Sequence, residues 1–239
     1  MKLTKEEIQF IDNYLIKNEV KFWDVRLELL DHIVSAVEDK MTNDGISFNE
    51  ALLEIHHKFG NRIHNGYTYR LDFNKALFID NKGFKKFTLK KQKKIRRKHW
   101  NTYWRTFLPF VLSFRFLIEY IVLGFFTFIG YQYSIKSGLL VLISGVIISE
   151  FSKLFYGGLK KFKSKSLNIQ MAVASSLLMT QIPFWIMTLF NSHYEDVESK
   201  PYYILFVIFT LLFIMSRHGL NNYINIYRTY KERFALLMS

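Results

Sequence analysis

The feature that most constrains this chain is the apolar character of residues 106–219, where four stretches carry almost no charge. The stretch 167–190 has 24 residues without a charged side chain, and 201–216 is uncharged over 16 residues. Of the other two stretches, the first is interrupted only by Glu119, and the second only by Glu150 and Lys153. Because a membrane-spanning helix needs about 20 mostly apolar residues, this pattern predicts four spanning helices. We place them at about 113–133, 137–156, 167–190 and 201–219.

The same stretches could form the interior of a large soluble protein, but 239 residues leave too little polar sequence to enclose them. We therefore predict an all-α fold: an integral membrane four-helix bundle with a small cytoplasmic N-terminal three-helix module. The predicted organisation is a helical module at 1–60, a connector and basic interfacial segment at 61–105, the spanning helices within 106–219, and a cytoplasmic amphipathic helix at 220–239.

The connectors between the predicted spans alternate between basic and non-basic. A basic run precedes the first span, "SIK" follows it, "GGLKKFKSKS" follows the second, and the mainly acidic "NSHYEDVESK" follows the third. Arg217, Arg228, Lys231 and Arg233 come at or after the end of the fourth. Since Lys and Arg accumulate on the cytoplasmic side, both termini are predicted to be cytoplasmic.

The basic run before the first span holds ten Lys and Arg between Lys82 and Lys98 and no Asp or Glu. Such a run attracts anionic lipid headgroups, and it suits a helix that lies along the membrane interface before Pro109. Nucleic acid, including ribosomal RNA, is an alternative partner, because charge is necessary but not specific for it. The residues predicted to contact anionic lipid are Lys90, Lys91, Lys93, Lys94, Arg96, Arg97 and Lys98.

Residues 4–60 read as three helices. Thr4 with Glu7, and Ser47 with Glu50, have the spacing of a capping box, in which two side chains satisfy backbone groups at a helix start. The middle helix is predicted at about 22–42, with His32 on the same side as its apolar residues, and Gly45 suits the left-handed position after it. A core this small is marginal alone, so we expect the module to pack on another element or a partner.

Residues 28–60 resemble a small helical domain, called HAAS-like or permease-prefix, found at the N-terminus of some bacterial permeases and membrane-bound regulators. The resemblance implies a cytoplasmic interaction module fused to membrane helices, and it carries over no catalytic residue. Where that group has Leu-Gly near the end, this chain has "HHKFG". The matching residues are Leu30, Asp31, Val37, Glu38, Gly45, Ser47, Glu50, Ala51, Leu52, Phe59 and Gly60.

Among the polar side chains of the predicted membrane segments, six candidates lie toward the cytoplasmic side. Such residues usually face the bundle interior and are candidates for function. We interpret them as a structural layer of ion pairs; the alternative is a proton or ion relay, which generally places an acid nearer the bilayer midplane. The six residues are Arg115, Glu119, Glu150, Lys153, Gln170 and Arg217.

Little in the chain indicates chemistry. Cysteine is lacking, which excludes disulfides and thiolate metal sites, and no phosphate-binding or hydrolase motif occurs. His32, His56, His57 and His64 have no accompanying ligand pattern, so surface or half-buried histidines are expected, with no metal and no cofactor.

These observations predict a non-enzymatic accessory or regulatory subunit of a larger complex in the bacterial inner membrane. A protein partner would bind through the cytoplasmic helices and the membrane bundle. The alternatives are a transporter or translocation-machinery subunit that uses Arg115, Glu119 and Glu150, and, with the least support, a membrane enzyme that acts at the cytoplasmic face.

Overall fold

The computed structural model describes residues 2–63, 79–158, 166–174, 176–195 and 200–238. Within these ranges the chain is helical apart from two two-residue strands, β1 (Arg62–Ile63) and β2 (Ile79–Asp80), which pair antiparallel. The helices are α1 (Lys5–Lys17), α2 (Trp23–Asn43), α3 (Phe48–Lys58), α4 (Lys82–Val111), α5 (Phe114–Tyr133), α6 (Ile135–Gly158), α7 (Leu167–Val173), α8 (Ser176–His193) and α9 (Tyr202–Met238).

The chain forms two compact units, and α4 contributes residues to both. The first unit comprises Met1–Ile95 with Ser164–Leu167, and the second comprises Arg96–Lys163 with Asn168–Ser239. The all-helical class predicted from the sequence is confirmed for the described residues. The connector predicted at 61–82 holds both short strands, and residues 64–78 between them lie outside the described part.

The two predicted helix starts in the first unit are confirmed. The Thr4 amide donates to Glu7 Oε2 at 2.8 Å, and the Glu7 amide donates back to Thr4 Oγ1 at 3.2 Å. Ser47 and Glu50 form the same reciprocal pair at α3. Gly45 has φ +65°, a left-handed conformation that costs glycine little, as predicted for the end of α2. Local sequence therefore determines where these helices begin and end.

The Glu50 carboxylate gives the start of α3 a pH dependence. It accepts hydrogen bonds from the Ser47 amide at 3.0 Å and the Ser47 hydroxyl at 2.8 Å, and these bonds lower the pKa of Glu50. A carboxyl whose pKa is lowered by folding stabilises the folded state above its unfolded pKa, and this stability is lost as pH falls through the folded pKa. We expect hydrogen exchange at the start of α3, corrected for intrinsic rates, to lose protection on acidification. The variant Glu50→Gln should lack that pH dependence, and an identical profile in the variant would contradict the assignment.

The core of the first unit forms where α1, α2 and α3 meet. Leu15, Leu29 and Leu52 are buried there, and Phe84 from the first turn of α4 is buried with them. The Phe84 ring lies 5.9 Å from the Tyr14 ring, so the start of α4 completes this core. His32 is exposed on α2, in agreement with the expectation of a surface or half-buried histidine, and its Nε2 lies 3.8 Å from Glu28 Oε1.

Two long-range side-chain contacts hold distant segments in the first unit. Asn61 Oδ1 accepts from the Gly83 amide at 2.9 Å and from the Phe84 amide at 3.3 Å, which satisfies the first donors of α4. Asp24 accepts from the Leu167 amide at 2.9 Å and from the Ser166 hydroxyl at 3.0 Å. The chain segment that precedes α7 is therefore attached to the first turn of α2.

In the second unit, three described helical stretches are long and apolar enough to cross a membrane: Phe114–Tyr133, Ile135–Tyr156 and Tyr202–Leu236. Helix α6 contacts α5, α8 and α9. Leu139, Leu142, Phe190, Leu205 and Phe209 form a buried cluster between α6, α8 and α9. Gly145 faces Phe213 so closely that a Cβ would lie 3.1 Å from that ring, in keeping with a role of small residues in close helix packing.

The prediction of one continuous helix at 167–190 was wrong, because α7 ends at Val173 and α8 begins at Ser176. The stretch is not among the three candidate spans found in the described residues. The physical reason lies in tertiary packing: Ile169 and Val173 of α7 are buried against Tyr223 and Tyr227 of α9. This packing holds α7 against α9.

The predicted fourth span and the predicted C-terminal helix belong to one unbroken helix, because α9 runs over 37 residues and through Gly219. At 1.5 Å per residue it is about 55 Å long, well beyond the roughly 30 Å hydrocarbon thickness. Similarly, α4 continues through Pro109 to Val111 instead of ending before it.

Candidate functional site

The best-defined polar site of the second unit lies around Glu119 near the start of α5. Arg217 of α9 binds this carboxylate through two nitrogens, Nε to Oε2 at 2.6 Å and Nη2 to Oε1 at 2.7 Å. Arg115, one turn before Glu119, adds a bond from Nε to Oε1 at 3.3 Å. A two-point contact between guanidinium and carboxylate fixes geometry as well as charge. This cluster therefore sets the register between α5 and α9.

A second polar cluster is centred on Glu150 of α6, which is fully buried. Lys153, one turn later and 5% exposed, lies 2.5 Å from Glu150 Oε1 through its Nζ. The Ser216 hydroxyl of α9 donates to the same oxygen. Among the described residues, the other oxygen, Oε2, has no hydrogen-bond partner. A buried carboxylate is thus neutralised by a lysine of its own helix.

The six predicted membrane residues do not all come together. Five of them belong to the two clusters, while Gln170 is exposed on α7 and contributes to neither. Adjacent residues of α9 serve different clusters: Ser216 contacts Glu150, and Arg217 contacts Glu119. Successive residues on a helix point about 100° apart, which explains why the two clusters are separate.

The sequence-based reasoning did not identify several residues of this polar region. The Tyr103 hydroxyl donates to the Met215 carbonyl at 2.9 Å, and His218 Nε2 lies 2.9 Å from the Tyr103 carbonyl oxygen. Because a carbonyl only accepts, Nε2 of His218 carries the proton. Burial raises the pKa of Tyr103 to about 12, with the Glu150 charge adding to the effect. The available signal was the run "SRHG" at 216–219, four non-apolar residues in succession at the end of the apolar first half of α9.

Gly219 completes the wall of the Glu150 cluster. A Cβ built on this residue would lie 2.8 Å from Lys153 Nζ and 3.9 Å from a Tyr103 ring carbon. The lysine ammonium therefore lies close to the backbone of α9 at Gly219.

The predicted lipid-contact residues lie on α4, and six of the seven are exposed. Lys91 is the exception: its ammonium pairs with Glu28 and lies 5.4 Å from the centre of the Phe87 ring. This lysine is therefore engaged within the first unit. The exposed residues are Lys90, Lys93, Lys94, Arg96, Arg97 and Lys98.

The histidines that the structure describes are not part of any metal-binding group. His56 is buried, contrary to the expectation of a surface or half-buried residue, and its Nδ1 hydrogen-bonds the Tyr14 hydroxyl. Burial raises the pKa of Tyr14. His32 and His57 are exposed, and His64 lies outside the described residues. No group of three potential metal ligands occurs in the part of the chain that the structure describes.

A double-mutant cycle tests the contact between Glu119 and Arg217. We expect Glu119→Gln and Arg217→Gln to be coupled, since each removes the same two-point bond. Interaction energies between contacting residues are typically about 0.5–3 kcal/mol. The measurement is the free energy of unfolding of both single variants and the double variant in detergent micelles. Arg115→Gln, which removes one longer bond from a largely exposed side chain, should couple more weakly. Additive effects at Glu119 and Arg217 would contradict the contact.

No family model matches this chain, and no match was found among curated proteins or solved structures.

Proposed function

We propose that this protein is a non-enzymatic accessory or regulatory subunit of a larger bacterial membrane complex. It would reside in the inner membrane as a multi-pass protein arranged as a four-helix bundle, with α8 as the fourth span and both termini in the cytoplasm. It would bind its partner through the membrane bundle and the N-terminal helices. Three apolar helices of sufficient length support the membrane location.

The observation that carries the proposal is the open apolar face of α5. The buried share of the apolar stretch is 11% in α5, compared with 39% in α6 and 33% in α9. Ile121, Phe125 and Phe128 are each more than half exposed and follow one another at spacings of four and three, on one side of the helix. A face rich in large rings offers much contact area to a neighbouring membrane helix.

The pairing of charged side chains with one another inside the second unit also supports a role as a structural membrane anchor. Glu119 is paired by two arginines, and Glu150 by Lys153 and Ser216. Residues paired in this manner hold helices in register, and they need no substrate to account for their presence.

A contact in the first unit supports the proposed sidedness. Asp24 near the N-terminus binds Ser166 and Leu167, which follow the basic connector after α6. This contact is consistent with a location of the N-terminal helices and Ser166 on the same side of the membrane. Because the connector carries four lysines, the shared side is the cytoplasm in our proposal.

The first unit also offers a groove for a partner. It has a volume of about 300 Å³ and is lined by residues of the α1–α2 link and the start of α4, including Phe22 and Leu89. Leu89 is 63% exposed. In the HAAS-like domain that residues 28–60 resemble, the helices form an interaction module, and we propose the same role here.

Site-specific photo-crosslinking in native membranes tests the accessory role. A photoreactive residue at Ile121, Phe125 or Phe128 should give one discrete protein adduct, while the same residue at buried Val146 should give none. The protein identified in the adduct should co-purify with this chain at stoichiometric yield. If the groove contributes to binding that protein, Leu89→Glu should reduce the yield. Adducts with lipid alone at all three positions would overturn the proposal.

One observation favours a transporter subunit as a second candidate. Oε2 of the buried Glu150 has no hydrogen-bond partner among the described residues, so this oxygen could accept a proton or an ion in transit. If that role is correct, Glu150→Asp should retain pH-dependent flux in reconstituted vesicles and Glu150→Gln should abolish it. Equal flux in both variants and the wild type would exclude the role.

A further inference from the structure

The exposed face of α4 shows an ordered change of chemistry along the helix within the second unit. Arg97, Trp100, Trp104 and Leu108 follow one another at spacings of three, four and four. At 100° per residue these positions lie within about 80° of one another. Trp100 is 60% exposed, Trp104 46% and Leu108 64%. The face therefore passes from cationic, through indole, to aliphatic.

An adjacent side of this part of α4 packs on α9. The rings of Tyr103, Phe107 and Phe110 pack around His218 of α9, with ring centres 4.5, 5.3 and 5.0 Å from the imidazole. At 100° per residue this side is centred about 100° from the face defined above. Trp100 and Trp104 border it through ring contacts to Tyr103 and still keep much of their surface exposed.

We propose that this face of α4 docks obliquely into the anionic leaflet of a bilayer, with the C-terminal end of the helix deepest. Tryptophan favours the level of the headgroups, Arg and Lys favour the phosphates, and leucine favours hydrocarbon. From Arg97 to Leu108 the helix rises about 16 Å, whereas each interfacial layer is only about 6 Å thick. An inclined helix places all three kinds of side chain at their preferred depths, which a helix lying flat on the surface cannot do.

The adjacent cations Arg96, Arg97 and Lys98 make the docking selective for negatively charged headgroups. All three are exposed. A basic side chain near an anionic surface gains about 1 kcal/mol, which corresponds to a local enrichment of anionic lipid on the order of fivefold. RNA could satisfy the charges, but it gives no reason for the aliphatic end of the face. The inference rests on the proposed membrane location and not on the accessory role.

Tryptophan quenching in reconstituted vesicles tests the proposal with the full chain. The vesicles contain phosphatidylcholine with a minor share of phosphatidylglycerol, and one or the other lipid is brominated in its acyl chains. The signal of Trp100 and Trp104 is obtained by subtracting that of a chain in which both are Phe. We expect brominated phosphatidylglycerol to quench this signal as though enriched on the order of fivefold around α4.

Charge variants separate selectivity from general loss of charge. Arg96→Gln, Arg97→Gln and Lys98→Gln together should bring the enrichment close to one. The matched control, Lys5→Gln, Lys17→Gln and Lys58→Gln, removes three exposed cations of the first unit and should leave the enrichment unchanged. An enrichment of one in the wild type would overturn the lipid selectivity. Loss of RNA co-sedimentation in the first triple variant, without any lipid enrichment, would assign the face to RNA.

A comparison of the two tryptophans tests the tilt of α4 separately. Trp104, measured in the Trp100→Phe variant, should be quenched more strongly by acyl-chain bromine than Trp100, measured in the Trp104→Phe variant. Aqueous acrylamide should quench Trp100 more strongly than Trp104. Equal quenching of the two would refute oblique insertion while leaving the membrane location intact. Failure of the protein to enter vesicles at all would overturn both the inference and the membrane location.

Discussion

Glu150→Gln should be among the most destabilising single substitutions in this protein, because it leaves the ammonium of Lys153 buried without a counter-charge. The two groups lie 2.5 Å apart, with Glu150 fully buried and Lys153 5% exposed. Removing one partner of a buried ion pair typically costs about 3–5 kcal/mol. The measurement is the free energy of unfolding in detergent micelles.

The double variant Glu150→Leu with Lys153→Met should recover most of that loss, since an apolar pair of similar size carries no desolvation cost. Glu232→Gln, an exposed carboxyl on the same α9 that supplies Ser216, serves as the control and should stay within about 0.5 kcal/mol of the wild type. A Glu150→Gln variant as stable as this control would show that the pair is not formed as described.

Gly83→Ala is the second substitution from which we expect a large effect. A Cβ at this position would lie 2.1 Å from the Phe59 carbonyl oxygen and 2.7 Å from the Phe59 carbonyl carbon. Both are backbone atoms at the end of α3, so no side-chain rotation relieves the clash. Overpacking of this kind costs about 1–3 kcal/mol. If the first turn of α4 moves, the bonds to Asn61 Oδ1 are lost as well, at about 1 kcal/mol for a helix cap.

Gly124→Ala in α5 is the matched control for this prediction. A Cβ there meets nothing within 4 Å, and alanine favours a helix over glycine by up to about 1 kcal/mol. Hydrogen exchange in the first unit should rise in Gly83→Ala and stay unchanged in Gly124→Ala. Wild-type protection in both variants would mean that α3 and α4 do not approach each other this closely.

The sequence anticipated several elements because their signals are local. Thr4 and Ser47 each have a glutamate three residues later, and that spacing alone specifies the bonds that start α1 and α3. The apolar stretches of α5, α6 and the first half of α9 were likewise predicted from composition. Arg115 and Glu119 are four residues apart, a spacing that brings two side chains together on one helix face, and they are paired.

Other features depended on partners that are remote in the chain. Ile169 of α7 is buried against Tyr223 of α9, and neither proline nor glycine marks the break between α7 and α8 in the sequence. Lys153 lies beside Gly219, which follows it by 66 residues in the chain. Sequence spacing reports contacts within one helix, but it contains no measure of which helix lies beside another.

By itself, then, the sequence determined the helical class, the helix starts at Thr4 and Ser47, and the presence of apolar stretches long enough for a membrane. Tertiary structure alone decided that Arg217 binds Glu119 while the adjacent Ser216 binds Glu150, and that Asn61 caps α4. The physical reason is range. Helix propensity, capping and hydrophobicity act within a few residues, whereas a buried charge or an unsatisfied amide takes whichever partner the packing of the whole chain brings within 3 Å.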